Sequence, residues 1–367
     1  MDPTNPANPR KPKALGRSEQ RSEVELDARH TDVLREIVRH HIQTGEPIGS
    51  ATVSRAVKLG LSPASIRHVM AELEELGLLT QPHTSAGRVP TERAYRVYVD
   101  QMVHRPRIGA GQAAAIERAL FDSRGEIEEL LGEASRQLSR FSHQVGLVLA
   151  PELRRLIVDQ LEFVRIDGRR VMAILVARSG VVHDRILDVS EPLAPQELER
   201  IGRHLTDELG GHTLPEMREI LERRLREERA VYDRLMARSL ELGRRALELE
   251  ESEAELFVEG ASNLLSPPEF SDLDLLRAVF RTLEDKRTLI DLLGRLLDSP
   301  GVRVVIGEEN PLSDLARCSL VASPYRAGER VMGTVGIVGP IRMPYGRAMA
   351  LVDHLSRVLT RLLSPGN

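Results

Sequence analysis

The chain has 367 residues, 29% charged and 41% hydrophobic, enough apolar material for two or three domains of ordinary size. No run approaches the roughly 18 consecutive apolar residues a membrane span needs. The first residues lack the apolar stretch of a secretory signal, and one cysteine, Cys318, makes no intramolecular disulfide, so a cytoplasmic protein with no membrane partner is expected. Net charge is −4, and aromatics are 3% with no Trp, which argues against a base-stacking platform for single strands. The charge is uneven. Residues 1–107 carry 16 Lys/Arg against 13 Asp/Glu and six of the 11 histidines, a mild basic bias at that end.

Residues 1–23 are rich in Pro, Asn, Ser and Arg and read as a disordered basic arm. In residues 29–43, Val33, Leu34, Ile37, Val38, His41 and Ile42 recur at helical spacing, and Gly45 to Pro47 stop that helix. Ser50 is expected to cap a second, short helix with Val53, Ala56 and Val57 inward. After a turn at Gly60, Ser62-Pro63 supplies a cap and a first-turn proline for a third helix. That helix should bury Ile66, Val69, Met70, Leu73 and Leu76 and end at Gly77. Residues 78–81 and 88–90 suit two short strands around a polar tip, and Thr91 caps a helix bearing Tyr95, Tyr98, Val99 and Met102. Three helices and a hairpin in this order predict a winged helix-turn-helix over residues 24–107.

A linker is expected at 104–112, then a helical run over 113–141. Three β-branched runs in 158–189, divided by Asp167-Gly168 and Ser179-Gly180, predict an antiparallel meander. Helices are expected over 195–209, 215–250, 251–265 and 273–297. Strands should follow at 302–306, 318–325 and 330–338, with a closing helix over 345–363. Strands flanking long helices in this order make the fold class α+β.

The third helix carries the chemistry. Ser65, Arg67 and His68 lie off its buried stripe in the N-terminal half, where free N–H groups and the positive dipole end favour phosphate. Glu72, Glu74 and Glu75 occupy the other half and would repel a DNA backbone, so the helix must approach a duplex N-terminus first. Arg67 suits either guanine O6/N7 or phosphate, and His68 donates or accepts with its tautomer. His83, Thr84, Ser85 and Arg88 at the hairpin suit phosphate or minor-groove contact, and Ser50 and Thr52 on the second helix complete the candidate DNA-binding set. The plainer reading is that these are solvated surface on a protein-interaction module. His40-His41 is not expected to hold metal, because adjacent helical positions diverge by about 100°.

The run SPASIRHVMAELEELGLLTQPHTSAGRVPT (62–91) resembles the signature of the HrcA family of bacterial heat-inducible transcription repressors. GASNLLSPPEF (260–270), IGEEN (306–310), CSLVASPY (318–325) and GTVGIVGPIRMPY (333–345) are similar to further blocks of that family in the same order. The resemblance implies three parts: the winged helix; a GAF-like domain from residues 108–150 and 251–367; and an inserted α+β dimerisation domain at 151–250. It also implies a homodimer on an inverted-repeat operator, the CIRCE element, upstream of chaperonin and related heat-shock operons. Repression would hold in unstressed cells, with the chaperonin as modulator. His68 stands where the resemblance leads one to expect Asn, which touches half-site preference. Ile341 stands where Thr is expected, at a local turn.

Two other classes compete. A GAF-like part suggests a small effector, although no polar cluster for one is evident. For an enzyme, Gly333, Gly336 and Gly339 match neither a dinucleotide fingerprint nor a P-loop and are expected to serve strand turns. Cys318 in an apolar strand reads as a small core residue. No catalytic residue, cofactor or metal is expected.

Overall fold

A computed structural model describes residues 25–57, 60–83, 86–104, 107–123, 127–151, 156–178, 180–189, 191–227, 234–247, 255–297, 300–328 and 330–364. The expected arm at 1–23 and the tip residues Thr84 and Ser85 lie outside them. The chain mixes helix and sheet in an α+β arrangement. No helix among the described residues is long and apolar enough to cross a membrane.

The chain opens with α1 (Ala28–Thr44), α2 (Ser50–Ala56) and α3 (Pro63–Glu75). The Asp27 carboxylate accepts the His30 N–H to start α1, and Gly45 at φ +74° ends it. Val33, Leu34, Ile37, Val38, Val53, Ile66 and Leu73 are wholly buried between the three helices. β1 (Leu79–Thr80) and β2 (Val89–Pro90) then pair antiparallel, and α4 (Glu92–Val97) continues into a wider π-type turn at Tyr98–Met102.

Three local expectations need correction. α2 is capped by Gly49, with Ser50 its first helical residue, because the Ile48–Arg88 bridge holds the chain extended up to that point. In α2 only Val53 is buried; Ala56 is exposed. Leu76 is 40% exposed, because Gly77 at φ +71° swings the chain off the helix and Leu78 takes the buried place.

The run expected at 113–141 is two helices, α5 (Ala110–Asp122) and α6 (Ile127–Ser142), so helix begins inside the expected linker. Three strands were not anticipated: the short β7 (His212–Thr213), β3 (Val145–Leu149) and β8 (Leu256–Glu259). Within the helix expected over 251–265, β8 takes the place of helix at Leu256–Glu259, followed by a 3-10 turn at Ala261–Leu265; pairing with β3 overrides a Glu-rich local pattern. Together with β9 (Arg303–Ile306), β10 (Cys318–Ala327) and β11 (Arg330–Pro340), β3 and β8 form an antiparallel sheet ordered β8-β3-β11-β10-β9. Period-two alternation divides its faces. Val148, Val321, Val335 and Ile337 face α6 and α12 (Tyr345–Leu363), in a core continuous with the N-terminal helices. Leu147, Leu149, Leu320 and Val338 face α10 (Leu273–Glu284) and α11 (Lys286–Gly294), two helices where one was expected, divided at Asp285. Gly333 and Gly339 serve no turns. They lie within β11, where a Cβ would run into the Leu149 carbonyl and the Gln144 side chain.

Between β3 and β8 the chain builds a separate layer. β4 (Ile157–Arg165), β5 (Arg170–Ala177) and β6 (Val182–Asp188) form the expected meander, and β7 (His212–Thr213) joins β4 at its first two residues. α7 (Pro195–Leu209), α8 (Leu214–Glu227) and α9 (Arg234–Ala246) cover one face around Ile201, Leu205 and Met217, a core of its own.

Candidate nucleic-acid interface

The N-terminus of α3 is built to stand open. The Ser62 side chain accepts the Ser65 N–H at 3.1 Å, its hydroxyl lies 3.0 Å from the Ser65 hydroxyl, and Pro63 opens the helix. Ser65, Arg67 and His68 are exposed on the face opposite Ile66, Val69 and Met70. Arg67 has no ion pair among the described residues, so its guanidinium is available to a ligand.

Two acids in the other half of the helix, Glu72 and Glu74, are tied down. Glu72 touches His30 Nε2 at 3.1 Å with one oxygen and His68 Nε2 at 3.3 Å with the other. His30 Nδ1 lies 2.8 Å from Asp27. Hydrogen bonds from the His30 backbone and ring hold the Asp27 carboxyl down at about 2. Glu74 pairs with Arg88 at 2.8 Å. The Arg88 guanidinium offsets the Glu74 charge behind the exposed end.

The remaining sequence-derived residues fall in different settings. Ser50 and Thr52 are half-buried in the first turn of α2. His83 is exposed at the hairpin tip, where its carbonyl accepts the Ala86 N–H. Arg88 is not at the tip: its backbone exchanges hydrogen bonds with Ile48 at 2.9 and 3.0 Å, and its side chain is 21% exposed beside Glu74. Gly87 permits this docking, since a Cβ there would run into the Ile48 backbone. Arg55, outside the expected set, is an exposed cation on α2 whose guanidinium reaches the Thr52 hydroxyl at 3.5 Å. Its place one turn beyond Thr52 was the available signal.

Behind the exposed face, polar contacts join the N-terminal helices to the five-stranded sheet. Arg96 grips the Glu309 carboxylate with two nitrogens and donates to the Val304 carbonyl at 2.8 Å. Glu92 accepts the Glu308 N–H at 2.9 Å. Arg342 pairs with Glu269 and donates to the Ile42 carbonyl at 3.3 Å. His41 Nδ1 lies 2.6 Å from the Tyr95 hydroxyl, and the Tyr95 ring packs 6.1 Å from that of Tyr345. Burial raises the Tyr95 phenol well above its ordinary value, so it stays protonated. No metal-binding group of His, Cys, Asp and Glu occurs among the described residues. Cys318 is buried, and desolvation pushes its thiol up to about 12, which makes it a poor nucleophile.

Fold and site thus define an α+β protein with an open, capped helix end presented by an N-terminal three-helix unit. Residues 128–349 match the family model described as the HrcA protein C terminal domain. The chain is 39% identical over 340 residues to the heat-inducible transcription repressor HrcA of Geobacter sulfurreducens, covering 93% of this chain and 99% of that one. It is equally similar to the protein of that name from Xanthomonas campestris pv. campestris, covering 93% of this chain and 97% of that one. The chain belongs to the HrcA family. A crystal structure described only as that of a hypothetical protein shares the fold, with a TM-score of 0.61 and 24% identity, covering 92% of this chain and 99% of that one.

Proposed function

We propose that the protein is a sequence-specific DNA-binding repressor of heat-shock operons of the chaperonin class. It binds the inverted-repeat CIRCE operator as a homodimer and prevents induction in unstressed cells. In this reading residues 24–107 are a winged helix-turn-helix, 108–150 with 251–367 a GAF-like domain, and 151–250 an inserted dimerisation domain. The observation that carries it is the capped N-terminal half of α3, exposed with Arg67 unpaired while Glu72 and Glu74 of the other half are engaged by His30 and Arg88. Membership of a family whose named members are heat-inducible transcription repressors supports it as well.

In the duplex, α3 enters the major groove N-terminus first, with Arg67 and His68 facing base edges and Ser65 a phosphate. Ser50 and Thr52 on α2 grip the backbone, as does Arg55. His83, with Thr84 and Ser85, reaches the flanking groove. Arg88 fixes the hairpin against α3 through Glu74 and adds positive potential near the backbone. The chaperonin is the proposed modulator, and its occupancy by unfolded protein would release repression.

Fluorescence anisotropy of a labelled inverted-repeat duplex against a scrambled one, at two salt concentrations with and without chaperonin, tests this. Selective, salt-sensitive binding that strengthens with chaperonin is expected. Equal binding to both duplexes would refute the operator; selective binding indifferent to chaperonin would refute the modulator alone.

A further inference from the structure

A cavity of about 420 Å³ opens where the four-stranded layer meets the five-stranded sheet. That is near the lower end of the range for small-molecule pockets, roughly 300–1,000 Å³. Its walls come from both layers. α6 supplies Glu128 and Leu131, α11 supplies Lys286 and Ile290, and Glu255 stands just before β8, next to Leu256. Leu156, Val181 and His183 come from the four-stranded layer. Leu156 and Val181 are buried in the same core as Leu131 and Ala150, so the two layers touch at the cavity floor. The lining divides by chemistry. Leu131, Leu156 and Leu256 are buried and Ile290 half-buried, whereas Glu128, Glu255 and Lys286 are exposed and His183 half-buried. None of these four titratable side chains makes an ion pair or a hydrogen bond among the described residues. Desolvation, then the Glu128 charge, pushes the Glu255 carboxyl above its ordinary value, and Lys286 opposes them. The two carboxylates and the ammonium are therefore neighbours at the mouth, with the acidic side short of positive charge.

We infer that this cavity binds a free α-amino acid with a large apolar side chain. Its ammonium lies between Glu128 and Glu255, its carboxylate meets Lys286, and its side chain covers Leu131, Leu256 and Ile290. The lining selects this class. A buried apolar floor under a charged mouth needs a ligand that is apolar at one end only, since a polar group on that floor would find no partner. Opposite charges that adjoin at the mouth match an ammonium and a carboxylate borne on one carbon, each making charge-assisted hydrogen bonds. A simple amine would leave Lys286 unanswered, and a simple acid would add a third negative charge beside two carboxylates. The occupant touches both layers, so its binding holds them in one relative placement. The site lies apart from α3 and does not depend on operator binding.

The test is isothermal titration of the full chain, without DNA, with L-phenylalanine, L-leucine and L-methionine. Saturable binding of at least one of them is expected, at one molecule per chain. Its analogues lacking the carboxylate or the ammonium should bind about tenfold more weakly or worse. Glu255→Gln and Lys286→Gln change exposed side chains without ion pairs, so each should keep the circular dichroism spectrum and melting temperature while weakening binding by about the same factor. No saturable heat from any of the three at millimolar concentration would overturn the site, as would binding that both variants retain in full. An analogue without the carboxylate that binds as tightly as the amino acid would overturn the assignment of ligand class.

Discussion

At the residue scale, Arg67 and His41 make opposite demands on their surroundings. Arg67 is exposed and unpaired, so its removal takes nothing from the fold. Arg67→Ala should leave the melting temperature within error and weaken operator binding by about 1–3 kcal/mol, with relaxed base preference, in an anisotropy titration. Unchanged affinity would remove Arg67 from the contact set. His41 is held neutral: burial first, then the Arg342 charge, lower its pKa below the ordinary 6.5. The unfolded chain therefore binds the proton more readily. Its contribution to stability is present above pH 6.5 and is lost as pH falls towards the folded value. Urea midpoints measured from pH 7.5 to 5 should decline, and His41→Gln should decline less over that window. Identical slopes would show that His41 is not a source of the dependence. Exposure of Ser65, Arg67, His68 and His83 was legible from helical periodicity and turn chemistry. The docking of Arg88 was not, because its partners Ile48 and Glu74 lie 40 and 14 residues away.

At the element scale, α3 joins fold to candidate function through its cap. Ser62 holds the Ser65 N–H and so fixes the end that is proposed to meet DNA. Ser62→Ala should cost about 1 kcal/mol of stability, read from a denaturant curve, and should weaken operator binding more than binding to a scrambled duplex. A loss of stability with operator selectivity intact would make the cap structural only. Caps and stops near α3 could be read directly, since Ser-Pro and Gly are local signals. The terminal helix α12 was likewise expected over its full observed span, Tyr345–Leu363. β3 and β8 were hidden for a different reason. Val145–Leu149 is buried on both faces, so it shows no alternation, and Leu256–Glu259 sits in a Glu-rich stretch with helical propensity. Their strand character comes from pairing across more than 100 residues, which local pattern does not carry.

At the scale of the whole molecule, the N-terminal helices are joined to the five-stranded sheet by a shared apolar core and by Arg96, Glu92 and Arg342. The four-stranded layer has its own core and an open apolar face. In the proposed reading, the N-terminal helices carry the DNA-facing surface and the middle layer the dimer contact, the arrangement a two-fold symmetric reader of DNA requires. The α+β class was legible in the sequence; the contacts between layers were not, because Arg96–Glu309 and Arg342–Ile42 join residues more than 200 positions apart. The measurement that tests this account most directly is selection of bound duplexes from a random-sequence pool by the full-length protein, followed by sequencing. The account predicts enrichment of an inverted repeat with two equivalent half-sites. Enrichment of a single asymmetric site, or no enrichment over the starting pool, would contradict it.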